Sequence, residues 1–237
     1  MRLLALETCT EACSVALVNE GLVHARYELA PRRHAELVLP WIEALLAENG
    51  LARSDLGAIA VGRGPGAFTG VRLGISLAQG LALALERPLI GISTLAALAM
   101  RAGADEGARV LAAIDARMGE VYWCSYQIRD GEPVALGGEQ VGTPQSVRIE
   151  GEGWHGVGSG FAAEKSALPR FLYEQLAAVD ALALPHAADI ARLAVRAHAR
   201  GQALPPEQVE PAYLRNNVAL TIKEQQALRA AKADSGG

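Results

Sequence analysis

Residues 62–74 read GRGPGAFTGVRLG, a glycine-rich turn between a short apolar run at 58–61 and a helix-forming stretch that ends near Leu85. An apolar strand that enters a helix through such a turn is the recurring unit of an α/β layer. At Gly64, Gly66 and Gly70 the missing Cβ permits backbone shapes closed to other residues. Pro65 stiffens the turn, and Phe68 is expected to anchor it in the core. Thr69 is placed to N-cap the helix. The helix start also offers backbone N–H groups near Arg72, so two readings stand, an anion cradle or a rigid turn. Against the cradle, the loop lacks the Lys-Ser/Thr end of a P-loop, and Ala67 breaks the GxGxxG spacing counted from Gly62.

Upstream, apolar runs at 3–6 and 13–18 flank a polar bend, and 22–29 alternates loosely, which predicts a β-meander. From His34 the period changes. Val38, Trp41, Ile42, Leu45 and Leu46 fall on one face of a helix closed by Gly50, with Pro40 inside it. On the helix after the glycine loop, Gly70, Gly74, Ala78 and Ala82 recur every fourth residue, while Val71, Ile75, Leu77, Leu81 and Leu85 make most of the remaining surface apolar. Such a helix is either buried centrally or, with the helix carrying Trp41, meets another subunit. The expected contact residues are Val38, Trp41, Ile42, Leu45, Arg72, Ile75, Leu77, Ala78 and Leu81. A strand at 89–92 precedes a helix capped by Ser93 or Thr94 and reaching about residue 102. Residues 103–107 are linker-like, which divides the chain into lobes 1–104 and 105–237.

The second half opens as the first does, with strands at 110–114, 121–128 and 133–136. Glu7 and Asp115 each close a first strand, a pattern that suggests an internal duplication. Asp115, Arg117 and Glu120 could serve acid–base chemistry, but Asp-Ala-Arg-Met-Gly is also good turn chemistry with a local ion pair, and the turn is preferred. Further on, a glycine turn at 156–160 is expected to lead into a helix over 162–179, followed by a helix over 187–200 capped by Gly201. The segment YLRNN at 213–217 precedes a charged tail whose residues 223–234 have helix-forming composition.

Composition narrows the function. The chain holds 22 Lys plus Arg against 26 Asp plus Glu, a net charge of -4, so it has no overall attraction to a polyanion and any RNA contact must be local or shared. Arg32 with Arg33, and Arg215 with Asn216 and Asn217, are short clusters that read as solvated surface. Cys9, Cys13 and Cys124 lack paired metal or redox spacing, and the five histidines form no HxxxH pair. Ser14 and Ser159 read as hairpin and turn residues rather than nucleophiles. The longest apolar stretch, 73–85, is interrupted by Gln79 and is shorter than the roughly 20 residues of a membrane span. No secretory leader is read at the start, so a cytoplasmic location is expected.

Four blocks, GRGPGAFTGVRLGISLAQGLALALERPLIGISTL, LETCTEACSVALVN, AAIDARMGEVYW and EPAYLRNNVA, together resemble the bacterial TsaB family, also called YeaZ, over nearly the whole chain. The resemblance implies an α/β fold of the actin-like, Hsp70-like and sugar-kinase-like type, with two related lobes that each open with a β-meander. It implies a non-catalytic subunit that binds a TsaD-like catalytic partner and acts with a TsaE-like ATPase. That assembly moves threonylcarbamoyl from threonylcarbamoyl-AMP to the adenosine 3′ of the anticodon in tRNAs reading codons that begin with A. ATP and threonylcarbamoyl-AMP would be used through the partners, and the chain in isolation is expected to form a homodimer. TsaD-like siblings carry two metal-binding histidines after the strand matching 89–92, where this chain has Thr94 and Leu98. Glu7, with Thr8, and Asp115 stand where actin-like ATPases hold metal-bound nucleotide, and are read as vestiges. The alternative is a free-standing enzyme of the same fold, a small-molecule kinase or a glycoprotease-like metallopeptidase.

Overall fold

The computed structural model describes residues 1–162, 168 and 170–215. The expected tail helix at 223–234, with Asn216 and Asn217, lies outside the described residues.

The chain opens with β1 (Leu3–Glu7), β2 (Ala12–Asn19) and β3 (Leu22–Leu29), a meander paired antiparallel throughout. After α1 (His34–Glu48) come β4 (Ala58–Gly62), α2 (Phe68–Ala84), β5 (Leu89–Ile92) and α3 (Thr94–Met100). β4 and β5 join in parallel, giving a five-stranded sheet in the order β3-β2-β1-β4-β5. The second sheet repeats the plan. Its strands β6 (Arg109–Arg117), β7 (Glu120–Arg129) and β8 (Glu132–Ala135) form an antiparallel meander, and β9 (Gln140–Gly142) pairs with β7. Then β10 (Trp154–Val157), α4 (Arg170–Tyr173) and β11 (Leu176–Asp180) follow, with β10 and β11 added in parallel to give the order β11-β10-β6-β7-β8. Read outward from their first strands, the two sheets share one topology, which gives the sequence duplication its physical meaning.

α5 (Ala187–Ala199) lies beyond the expected lobe boundary in the chain, yet it packs on the first sheet across β1, β2, β4 and β5. That sheet is therefore covered on both faces. Leu4 and Leu6 of β1 point with Ile59 and Val61 into a core formed by α1, over β2, and α2, over β4. Leu3 and Ala5 point the other way, with Ala16, Ala58 and Ala60, onto the alanine-rich face of α5. Small side chains on both surfaces let helix and sheet approach closely. Ser14, buried in β2, accepts the Ala187 N–H at 2.9 Å and fixes where α5 begins. α3 sits between the sheets, contributing Leu95, Leu98 and Ala99 to the core of the second.

Three expectations are corrected. Residues 176–180 form an edge strand rather than the end of a helix, because pairing with β10 overrides the helical preference of Leu-Ala-Ala. Residues 154–157 form a strand too, and the turn comes only at Gly158. Gly158 has φ +109, and a Cβ there would collide with the Ala113 carbonyl oxygen of β6, so only glycine fits. Finally, α2 starts two residues earlier than expected, with Ala67 rather than Thr69 at the cap and no side-chain capping hydrogen bond. Gly158→Ala should lower the unfolding free energy by about 2–4 kcal/mol, measured by urea denaturation, through backbone strain and overpacking against β6.

Candidate functional site

The glycine loop connects β4 to α2, and the turn between β1 and β2 is pressed into it. A Cβ on Gly66 would strike the carbonyl oxygen of Cys9, and one on Gly70 that of Thr8. One side of the helix start is thus packed against the chain's own hairpin. Ala67 N–H donates to the Cys9 carbonyl at 2.7 Å, and the Thr8 hydroxyl donates to the Gly70 carbonyl at 2.8 Å. With the Ala67 N–H already bonded to the hairpin, one donor of the helix start is used within the chain, which favours the rigid turn.

Glu7 lies at the floor of this arrangement and is fully buried. Its Oε1 accepts the Cys9 N–H at 2.6 Å and its Oε2 accepts the Thr94 hydroxyl at 3.0 Å. Thr94 in turn accepts the Gly64 N–H at 3.2 Å through its hydroxyl, and its own N–H donates to the Gly64 carbonyl at 2.9 Å. Burial lifts the Glu7 carboxyl above the usual glutamate range, against the pull of the hydrogen bonds from Cys9 and Thr94. Burial, with Glu7 beside it, also pushes the Cys9 thiol well up, and burial brings that of Cys13 to about 12, so neither supplies a thiolate.

The places of the sibling histidines hold no ligand. Thr94 is engaged with Glu7, and Leu98 lies in the core of the second sheet. Among the described residues no group of three His, Cys, Asp or Glu side chains could hold a metal ion. His34, buried, donates its Nε2–H toward the carbonyls of Thr10 and Ala12, at 2.9 and 3.2 Å, a structural role.

A cleft of about 230 Å³ lies between the glycine loop and the β6–β7 turn, lined by Phe68, Val71, Ala116, Arg117, Tyr122 and Tyr213 among others. Neither Glu7 nor Asp115 lines it. Asp115 accepts from the Arg117 N–H at 2.9 Å and from its guanidinium at 3.1 Å, the local turn pairing expected of it. Glu120 is paired with Arg215 instead.

Residues 204–215 form a strap that sequence reasoning did not foresee. Gln79 of α2 donates to the carbonyls of Pro206 and Val209, and Ala212 N–H donates to the Arg63 carbonyl at 2.8 Å. Arg72 lies over the Phe68 ring at 3.7 Å and donates to the Tyr213 hydroxyl at 2.7 Å. Phe68 is therefore half exposed in a surface stack rather than sunk in the core, because the strap supplies its partner. Arg215 then crosses to Glu120 and the Ala116 carbonyl, tying the lobes together. Only the separation of these residues along the chain hid the strap.

The expected partner surface is divided by the structure. Val38, Ile42, Leu45, Ile75 and Ala78 are buried between their helices and the first sheet, so no partner reaches them while the helices stay docked. Arg72 belongs to the strap. Trp41, Leu77 and Leu81 are partly exposed at the margin of that core.

A family model described as TsaD, tRNA N6-adenosine threonylcarbamoyltransferase, matches residues 23–223. The tRNA threonylcarbamoyladenosine biosynthesis protein TsaB of Escherichia coli K12 is 48% identical, over 92% of this chain and 96% of its own length. The chain belongs to the TsaB family. The Haemophilus influenzae TsaB is 40% identical over 92% of this chain and 95% of its own. The solved structure of YeaZ from Pseudomonas aeruginosa superposes with a TM-score of 0.83 at 50% identity, covering 90% of this chain and 99% of that one. With the paired sheets, these likenesses make the fold actin-like. No helix among the described residues is long and apolar enough to cross a membrane.

In this TsaB-family chain the state of Glu7 is open to direct measurement. A carboxyl whose folded pKa lies above its unfolded value supports folding fully below the unfolded pKa and loses that support as pH rises through the folded one. The melting temperature of Glu7→Gln relative to wild type should therefore climb from acid to neutral pH. A difference that stays flat over that range would show that folding does not raise the Glu7 pKa.

Proposed function

We propose that this chain is a scaffold and activator subunit without turnover of its own, in the assembly that transfers threonylcarbamoyl from threonylcarbamoyl-AMP to the adenosine 3′ of the anticodon. The observation that carries this reading is the glycine loop packed against the chain's own hairpin. The Thr8 and Cys9 carbonyls sit against the start of α2, and Thr94 and Leu98 stand where ligating side chains would be needed. The names of the relatives support the pathway, and the description of the matching family model supports a TsaD-like catalytic partner.

On this reading a TsaE-like ATPase completes the assembly, and ATP and threonylcarbamoyl-AMP are handled by the partners in the cytoplasm. The docking surface is the outer margin of α1 and α2. Trp41, Leu77 and Leu81 form an apolar rim over a core that already fixes both helices, so little order is lost on binding. The same rim would be buried in a homodimer of the isolated chain, in exchange with the partner.

Leu77→Asp with Leu81→Asp should weaken the complex with a TsaD-like subunit by about thirty-fold or more, a loss of hot-spot size, and abolish tRNA modification in a reconstituted reaction. The variant's own melting curve reports whether it still folds. Full-rate modification in a reaction lacking this chain would refute the proposal.

A further inference from the structure

α5 carries a second surface, on the opposite face of the first sheet from α1 and α2. Arg192, Arg196 and Arg200 recur every fourth residue along its outer side, about 6 Å apart in rise. Arg101, at the end of α3, continues the row. The four share two carboxylates. Arg101 and Arg192 both face Asp189, at 3.7 and 2.6 Å, and Arg196 and Arg200 both face Glu132, at 3.1 and 3.0 Å. The carboxylates are largely buried, whereas each guanidinium-bearing side chain keeps about half its surface in solvent (46% to 51%). Excess positive charge thus faces outward from a chain whose net charge is -4.

At the head of the row, beside Arg101, the rings of Tyr27 and His186 stack at 5.0 Å with an interplanar angle of 6°. They border a hollow of about 380 Å³ with Arg101, Asp180 and Leu182. Asp180 directs one carboxylate oxygen to the N–H groups of Leu182 and Ala183. The exposed Tyr27 ring, backed by the part-buried His186, and the regularly spaced arginines supply the two elements that single-stranded RNA requires, a surface for base stacking and cations for its phosphates.

We propose that single-stranded RNA docks along α5, with its phosphates on Arg101, Arg192, Arg196 and Arg200 and a base stacked at Tyr27–His186. The choice of RNA as the polyanion rests on the tRNA-modifying role proposed above. Because α5 and the α1–α2 rim lie on opposite faces of one sheet, a protein partner and RNA can be held together.

The alternative role of these arginines is internal, tethering the β7–β8 turn and the end of α3 to α5. Glu132→Gln separates the two. It weakens a tether, but it removes a charge that competes with phosphate. Binding of a fluorescent single-stranded oligoribonucleotide to the isolated full-length chain, followed by anisotropy over a range of salt, reads the outcome. Wild type should bind at low salt, and Glu132→Gln should bind several-fold more tightly. The triple variant Arg192→Gln, Arg196→Gln, Arg200→Gln should lose most of its affinity and reduce the slope of log K against log salt by about 2. Tyr27→Ala should weaken binding by about tenfold. No binding by wild type, or an affinity that Glu132→Gln leaves unchanged or lowers, overturns the proposal. If the triple variant does not fold, Glu132→Gln and Tyr27→Ala decide alone. None of these measurements involves the protein partner, so the RNA surface and the scaffold role can fail separately.

Discussion

A single buried carboxyl organises the first lobe. Glu7 ends β1, and its two oxygens reach the Cys9 N–H and the Thr94 hydroxyl, which itself receives the Gly64 N–H. The hairpin, the glycine loop and the start of α3 therefore meet at one side chain. Such a node is stable only when each polar group is matched, since an orphaned buried group costs on the order of 1–3 kcal/mol. The loop that leads into α2 is held at one end by Thr94 and at the other by the Thr8 hydroxyl and the Cys9 carbonyl. Peptide oxygens of the hairpin lie against the start of the helix.

Much of this was legible in the sequence. The meanders, both parallel strands of the first sheet and the two long helices follow from periodicity, because each buries a continuous apolar face. The two aligned strand openings that carry Glu7 and Asp115 suggested a duplication, and the common strand order bears it out. The strands at 154–157 and 176–180 were hidden for a physical reason. A short strand in a parallel sheet owes its state to neighbours distant in the chain, and glycine and alanine carry little preference of their own.

The site was only partly legible. That Leu98 cannot ligate metal and that Thr94 supplies no imidazole are matters of residue type, and so could be read directly. That Val38, Ile42, Leu45, Ile75 and Ala78 face inward could not, because a nearly all-apolar helix does not reveal which side meets the sheet. The fate of Phe68 was likewise set by Tyr213, far away in sequence. Arginines four apart on α5 were visible as spacing, but their pairing two to one with Asp189 and Glu132 needed the fold.

The return of α5 to the first sheet also sets an order of events during synthesis. Leu3, Ala5, Ala16, Ala58 and Ala60 are made early, yet the helix that shields them begins only at Ala187. A nascent chain that has completed both meanders still shows the ribosome's surroundings one uncovered apolar face, in just the species prone to aggregate. The two lobes are thus not successive folding units. The first to be translated is the last to be closed, and no cut between the sheets yields an N-terminal half with a finished core.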